Sequence, residues 1–187
     1  ALSLVKDNIW KQVIGKELMG STFGIIGYGN VGSRLSNLLK PFNCKILYYD
    51  TNKKIISNSI NIKKVPLYYL IKKSDIISLH IPLNKKNINF YNKDKIKLMK
   101  SNSIFLNFSR GGLVDEKFLF QRYKKGMISG LGFDVLKNEP KIELDIRNEN
   151  IFLSPHIGGS SEESIKNMGI SSVKNLKKPK TLTSKFI

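Results

Sequence analysis

Three glycines in the spacing G-x-G-x-x-G, Gly27, Gly29 and Gly32, separate an apolar run from a segment of helical period, and this constrains the fold more than any other feature. The run before them, residues 23–26, reads as a buried strand; after them, apolar positions at Val31, Leu35, Leu38, Leu39 and Phe42 read as a helix. A strand that turns into a helix over such glycines leaves backbone N–H groups free at the helix start, and a side chain there would hold a pyrophosphate away from them. The next apolar run, Lys45-Ile-Leu-Tyr-Tyr, ends on Asp50. Placed roughly 20 residues after the glycines, that carboxylate can accept hydrogen bonds from an adenosine ribose. The pattern predicts a dinucleotide site, for NAD rather than NADP.

With 187 residues, 41% of them hydrophobic, the chain suits one well-packed α/β domain and is short for two. No run of about 18 apolar residues occurs, and no charged-then-apolar leader opens the sequence, so neither a membrane span nor a signal peptide is expected. Cys44, the single cysteine, excludes an intramolecular disulfide framework and suits a reducing cytoplasm. A formal net charge of +18 invites a nucleic-acid reading. The excess is nearly all scattered lysine, however, with four arginines (Arg34, Arg110, Arg122, Arg147) and no basic block interleaved with aromatics. We read it as a solvated surface able to steer anionic substrates or cofactors, and expect neither a nucleic-acid nor a membrane partner.

Taken in order, residues 2–13 are loosely helical and residues 15–20 form a glycine-punctuated link. After Asp50 comes a polar stretch, then a short helix over 65–74 and a strand over 76–79 that runs into His80-Ile-Pro82. A helix is expected over 94–100 and a strand over 104–107, with Phe108-Ser-Arg-Gly-Gly112 directly after it. Asp115 caps a helix running to Gly126. Strands over 128–133 and 150–153 end on Asp134 and on Ser154-Pro-His-Ile-Gly-Gly159; a terminal helix spans 162–176. Strand and helix alternate at least five times, which predicts an α/β doubly wound parallel sheet. The expected organisation is one domain: helix and link over 1–20, Rossmann core over 21–160, helix and tail over 161–187.

Ligands of such a sheet bind at the carboxyl ends of the strands, near the point where strand order reverses. The glycine turn, Asp50, His80, Ser109 with Arg110, Asp134 and His156 all come directly after strand-like runs. Arg110 could grip a carboxylate with two parallel hydrogen bonds and polarise a neighbouring carbonyl; it also reads as a surface arginine in a glycine turn. His156 has the side chain suited to passing a hydroxyl proton when a hydride leaves the same carbon, or it is a half-buried structural histidine. Glu139, a carboxylate able to orient an imidazole, favours the catalytic alternative. His80 has no obvious carboxylate partner and stands between lining a cofactor and packing. One cysteine and two distant histidines make no metal pattern.

Together, Gly24-Ile-Ile-Gly-Tyr-Gly-Asn-Val-Gly32, Tyr48-Tyr-Asp50, Ser78-Leu-His-Ile-Pro82, Leu98-Met-Lys100, Asn107-Phe-Ser-Arg-Gly-Gly-Leu-Val-Asp115, Asp134-Val135 with Glu139-Pro140, and Ser154-Pro-His-Ile-Gly-Gly-Ser160 resemble the NAD-binding domain of D-isomer-specific 2-hydroxyacid dehydrogenases. The resemblance covers essentially the whole chain. It implies an oxidoreductase with NAD as cofactor and a D-2-hydroxy acid as substrate. It further implies His156 as proton donor and acceptor, Glu139 as its carboxylate partner, and Arg110 as the ligand of the substrate carboxylate and carbonyl. Pyrophosphate would lie over Asn30 and Val31, at the turn of Gly27, Gly29 and Gly32, and the ribose on Asp50. His80 and Pro82 would line the cofactor, with the nicotinamide near Phe108, Ser109, Arg110, Asp134, His156, Gly158 and Gly159. The glycine fingerprint, His-Ile-Gly-Gly-Ser and Asn167-Met-Gly169 look most like the phosphoglycerate dehydrogenase branch, whose oxidation of 3-phosphoglycerate opens serine synthesis. Departures are Asn84 and Asn87 where threonines are common, and Thr51 with Lys53-Lys54, which leaves some room for NADP. The family's second, substrate-binding domain is expected to be largely absent here, which leaves a non-catalytic NAD-binding or interaction module as the alternative. A homodimer through this domain, with Trp10 near the partner's site, is implied as well.

Overall fold

The computed structural model of the protein describes residues 5, 7–12, 14–52, 61–143 and 151–176. Strand β1 (Thr22–Ile26) passes through the glycine turn into helix α1 (Asn30–Leu39), and a short 3-10 turn leads to β2 (Lys45–Tyr49). Next come β3 (Ile62–Lys64), α2 (Leu67–Lys73), β4 (Ile76–Leu79), α3 (Lys93–Lys97) and β5 (Ile104–Asn107). A 3-10 turn at Gly111–Leu113 precedes α4 (Glu116–Lys124), β6 (Gly130–Phe133), β7 (Ile151–Leu153) and α5 (Glu162–Leu176).

All seven strands pair in parallel in the order β3-β2-β1-β4-β5-β6-β7, so the expected doubly wound sheet forms, and the winding reverses between β1 and β4. Side chains alternate across it, as strand geometry requires. In β1, Ile25 joins the cluster that holds Leu39 of α1, while Ile26 joins the larger cluster with Leu70 of α2, Ile96 of α3 and Leu119 of α4. Burial on both faces is why the strands read as apolar runs. Gly24 lets α2 approach β1: a Cβ there would run into the Ser74 hydroxyl and Leu70.

The structure differs from the sequence expectation at several ends. β3 falls in what reads as a polar stretch; its three residues pair only with β2, where one buried residue, Ile62, suffices. Helix α2 starts at Leu67 instead of 65 because Pro66 occupies its N-cap with extended ψ. Residues 7–12 of the expected 2–13 helix form a turn and non-helical chain, with Asn8 at φ 58 and its N–H bonded to the Val5 carbonyl. The remainder of that helix apart from Val5, Lys53-Lys54, Arg147 and the last residues from 177 on lie outside the described residues. No helix among the described residues is long and apolar enough to cross a membrane.

Two compact units divide the chain, Ala1–Ser154 and Pro155–Ile187. The first holds the sheet with α1 to α4. In the second, Ser161 accepts the Ser164 N–H at 3.1 Å through its hydroxyl and starts α5, which carries two acidic residues in its first turn.

Candidate functional site

Parallel pairing brings the carboxyl ends of all strands to one edge of the sheet, and the reversal between β1 and β4 opens a crevice there. Gly27 sits in it with φ +92, its N–H bonded to the Tyr49 carbonyl at 2.8 Å, and a Cβ on it would strike the His80 backbone. That conformation and that neighbour each demand glycine. Gly32 has another reason: a Cβ would collide with the Gly27 carbonyl, so its absence lets α1 lie against the turn. Gly29, the N-cap of α1, faces open space, with nothing within 4 Å of where a Cβ would stand. Asn30 and Val31 form the exposed first turn, where unpaired N–H groups and the helix dipole favour an anion.

Asp50 closes the other side of the crevice. Its Oδ2 accepts the Tyr28 N–H at 2.7 Å and its Oδ1 the Asn52 N–H at 2.8 Å. A carboxylate has about four lone-pair directions, so Asp50 can brace the turn and still receive ribose hydroxyls. Tyr28 is anchored below: its ring stacks on Tyr48 at 3.9 Å and its hydroxyl meets that of Ser36 at 2.6 Å.

The loop after β4 forms the outer wall. His80 donates its backbone N–H to Ile26 at 2.7 Å, and its Nε2 pairs with the Ser78 hydroxyl at 2.9 Å. Nδ1 is buried without a hydrogen-bond partner among the described residues. Burial pushes the imidazole pKa down to about 4, so the ring is neutral at pH 7. Asn87 stitches the loop, donating from Nδ2 to the Pro82 carbonyl at 2.6 Å and accepting the Asn84 N–H at 2.7 Å. The crevice between this wall, the glycines and Asp50 encloses about 810 Å³.

Farther along the edge, Phe108, Ser109 and Arg110 come after β5. Asn107 organises them: its Oδ1 accepts both the Ser109 N–H and hydroxyl, and its Nδ2 donates to the Arg110 carbonyl at 3.0 Å. Arg110 is exposed, one guanidinium N–H resting on the Ser109 carbonyl at 2.6 Å. Asp134, buried after β6, donates its N–H to the Asn107 carbonyl at 3.1 Å and receives the Ser154 hydroxyl at 2.6 Å. Glu139 accepts the Leu136 N–H at 2.7 Å. His156, Gly158 and Gly159 open the second unit and are described within it: His156 is exposed at φ 55, and the next turn is closed by the Ser160 N–H on the Ile157 carbonyl at 3.0 Å. No group of three or more His, Cys, Asp or Glu suited to a metal occurs among the described residues.

Against known proteins, residues 1–158 match the family described as D-isomer specific 2-hydroxyacid dehydrogenase, NAD binding domain. The chain belongs to this family. A glyoxylate reductase of Thermococcus litoralis is 39% identical over 185 residues, a span covering 93% of this chain and 56% of that protein. D-3-phosphoglycerate dehydrogenase of Methanocaldococcus jannaschii is 35% identical over 183 residues, covering 95% of this chain and 35% of that protein. Among solved structures, a glyoxylate reductase from Paecilomyes thermophila superposes with a TM-score of 0.87 at 30% identity, covering 94% of this chain and 55% of that one. This NAD-binding domain thus spans about half the length of the glyoxylate reductases it matches.

The residues present fit the cofactor, NAD. Gly29 leaves room over a helix N-terminus for a pyrophosphate, Asp50 offers acceptors to a ribose, and the crevice is open between them. Sequence reasoning gave no role to Asn107, Tyr28 or Glu116, whose carboxylate accepts the Lys137 N–H at 2.9 Å. Only for Asn107 was there a signal, an amide side chain ending a buried strand.

Proposed function

We propose that this domain serves an oxidoreductase that moves a hydride between a D-2-hydroxy acid and NAD. The observation that carries the reading is one sheet edge bearing both a dinucleotide crevice and, two strands away, the Arg110 turn braced by Asn107. NAD, when bound, supplies the hydride acceptor. Arg110 has guanidinium N–H groups beyond the one on Ser109 with which to bind a substrate carboxylate. In this reading His156 takes the hydroxyl proton and Glu139 is the carboxylate of the catalytic set.

For the substrate, we infer a small 2-oxo or 2-hydroxy acid of the glyoxylate kind. The identity to the Thermococcus glyoxylate reductase supports it. 3-Phosphoglycerate is the second reading, favoured by the glycine fingerprint, the His-Ile-Gly-Gly-Ser run and the Methanocaldococcus relative. Steady-state kinetics of the full-length protein with NADH and glyoxylate, and with NAD and 3-phosphoglycerate, test both. A kcat/KM for glyoxylate well above that for 3-phosphoglycerate is expected; the reverse installs the second reading, and activity with neither leaves an NAD-binding module. Self-association through this domain belongs to the same reading, with Trp10 and Ile14 more than 90% exposed.

A further inference from the structure

Glu116 stands outside the crevice and outside the catalytic set, yet it is a half-buried acid held by another part of the chain. It occupies the first position of α4, where an acidic residue would ordinarily answer the helix dipole. Capping is already done by Asp115, whose side chain accepts the Phe118 N–H at 3.0 Å. The Glu116 carboxyl turns instead to a segment 21 residues on, accepting the Lys137 N–H at 2.9 Å. One residue earlier, the Leu136 N–H is held by Glu139 at 2.7 Å. The same backbone is pressed against the turn after Arg110, because a Cβ on Gly111 would collide with Leu136 and with the Lys137 nitrogen. Two turns bearing proposed catalytic residues therefore meet backbone to backbone, and Glu116 supplies a side-chain bond across that joint.

We propose that Glu116 is a positioning residue: by holding the Lys137 N–H it fixes the turn that carries Glu139 against the Gly111 turn that carries Arg110. The inference rests on the dehydrogenase reading for the role of Glu139, and on the observed contacts for the latch itself. Its surroundings make the latch sensitive to protonation. Burial, the largest cause, together with the charges of Glu139 and Glu143, raises the Glu116 pKa to about 7 against the opposing influence of the Lys137 N–H and ammonium. Asp115, Lys117 and Lys141 line the same recess, of about 410 Å³. A protonated carboxyl still accepts through its carbonyl oxygen, whereas ionisation in a half-buried site is costly. Opening exposes the group to water and lowers its pKa, so the latch loosens as pH rises toward about 7 and not as it falls.

The test is hydrogen exchange of the segment 134–142 in the full-length protein, read beside its kinetics. In Glu116→Ala, exchange at 136–137 should quicken by roughly tenfold, the effect of losing one hydrogen bond, and kcat should fall while KM for NAD holds. Glu116→Gln, which keeps a neutral acceptor, should restore both. In the unsubstituted protein, protection corrected for intrinsic exchange should decline between about pH 4.5 and 7, and in Glu116→Gln it should stay flat. Unchanged exchange in Glu116→Ala overturns the latch; should that variant fail to fold, a pH response in Glu116→Gln matching that of the unsubstituted protein overturns it equally. Faster exchange with unchanged kcat overturns the link to Glu139. Absence of dehydrogenase activity in the unsubstituted protein defeats the functional reading alone, since exchange still decides the latch.

Discussion

The Asp50 carboxylate accepts the Tyr28 N–H at 2.7 Å, which ties the end of β2 to the middle residue of the Gly27-Tyr28-Gly29 turn. One side chain thus shapes the glycine turn and, in the proposed reading, also presents an acceptor to the ribose. Asp50→Ala should lower NAD affinity by roughly tenfold or more, since bonds to a charged acceptor are among the stronger ones. It should also narrow the preference for NAD over NADP. Titration of both cofactors checks this, and an unchanged preference would remove Asp50 from the ribose.

Gly29 and Gly32 separate two meanings of the same motif. Gly32→Ala places a Cβ against the Gly27 carbonyl and should destabilise the fold by about 1–3 kcal/mol. Gly29→Ala meets no atom within 4 Å and should fold normally, yet bind NAD more weakly because the methyl occupies ligand space. Denaturant unfolding beside NAD binding distinguishes them; equal stability losses would defeat the assignment.

His80 should give stability that depends on acid. Its folded pKa of about 4 lies below the ordinary histidine value of 6.5, so the folded state binds fewer protons between these limits. The stabilisation is present above pH 6.5 and is lost as pH falls toward 4, on the order of 3 kcal/mol at full effect. Glu116, shifted upward to about 7, contributes the opposite slope. His80→Gln should flatten the acid side of a stability-against-pH curve, and an NMR titration should keep the ring neutral down to about pH 4. A ring that titrates near 6.5 would contradict this burial.

In the full-length protein, His156→Ala should depress turnover by roughly 10²–10⁴-fold, the range for losing a general acid or base. Near-normal turnover would end that assignment.

Arg110→Lys should weaken carboxylate substrates because the planar fork is lost, while leaving NAD binding intact. Retained kcat/KM would make Arg110 a turn residue only.

Much of the fold is readable along the chain because the strands are buried on both faces and stand out as apolar runs, as with Ile76-Ile-Ser-Leu79 between β1 and β5. β3 is not readable: an edge strand of three residues needs one buried side chain, and Ile62 beside two lysines makes no period. The start of α2 is misplaced by two residues because Val65 is buried without being helical. At the candidate site, polar residues directly after β1, β2, β4, β5 and β6 fall on one edge of the sheet, whereas Asn107 and Glu116 escape notice. Glu116 is bonded to a backbone N–H 21 residues on and Asn107 to Ser109 and Arg110 of the turn that follows it, pairings that composition does not mark.

By itself the sequence determined the parallel α/β class, the glycine turn with its acid 18 positions after the last glycine, and which residue types come after the strands. Local pattern is enough for these, since strand burial and turn geometry act over a few residues. Only the tertiary structure decided that Gly32 is glycine for packing while Gly29 faces open space, that Asp50 braces the glycine turn, and that the Glu116 carboxyl reaches the Lys137 N–H. The Asp50 and Glu116 contacts join segments 22 and 21 residues apart that the β1–β2 and β5–β6 pairings bring together, and the need for glycine at Gly32 comes from how closely α1 lies against the Gly27 carbonyl.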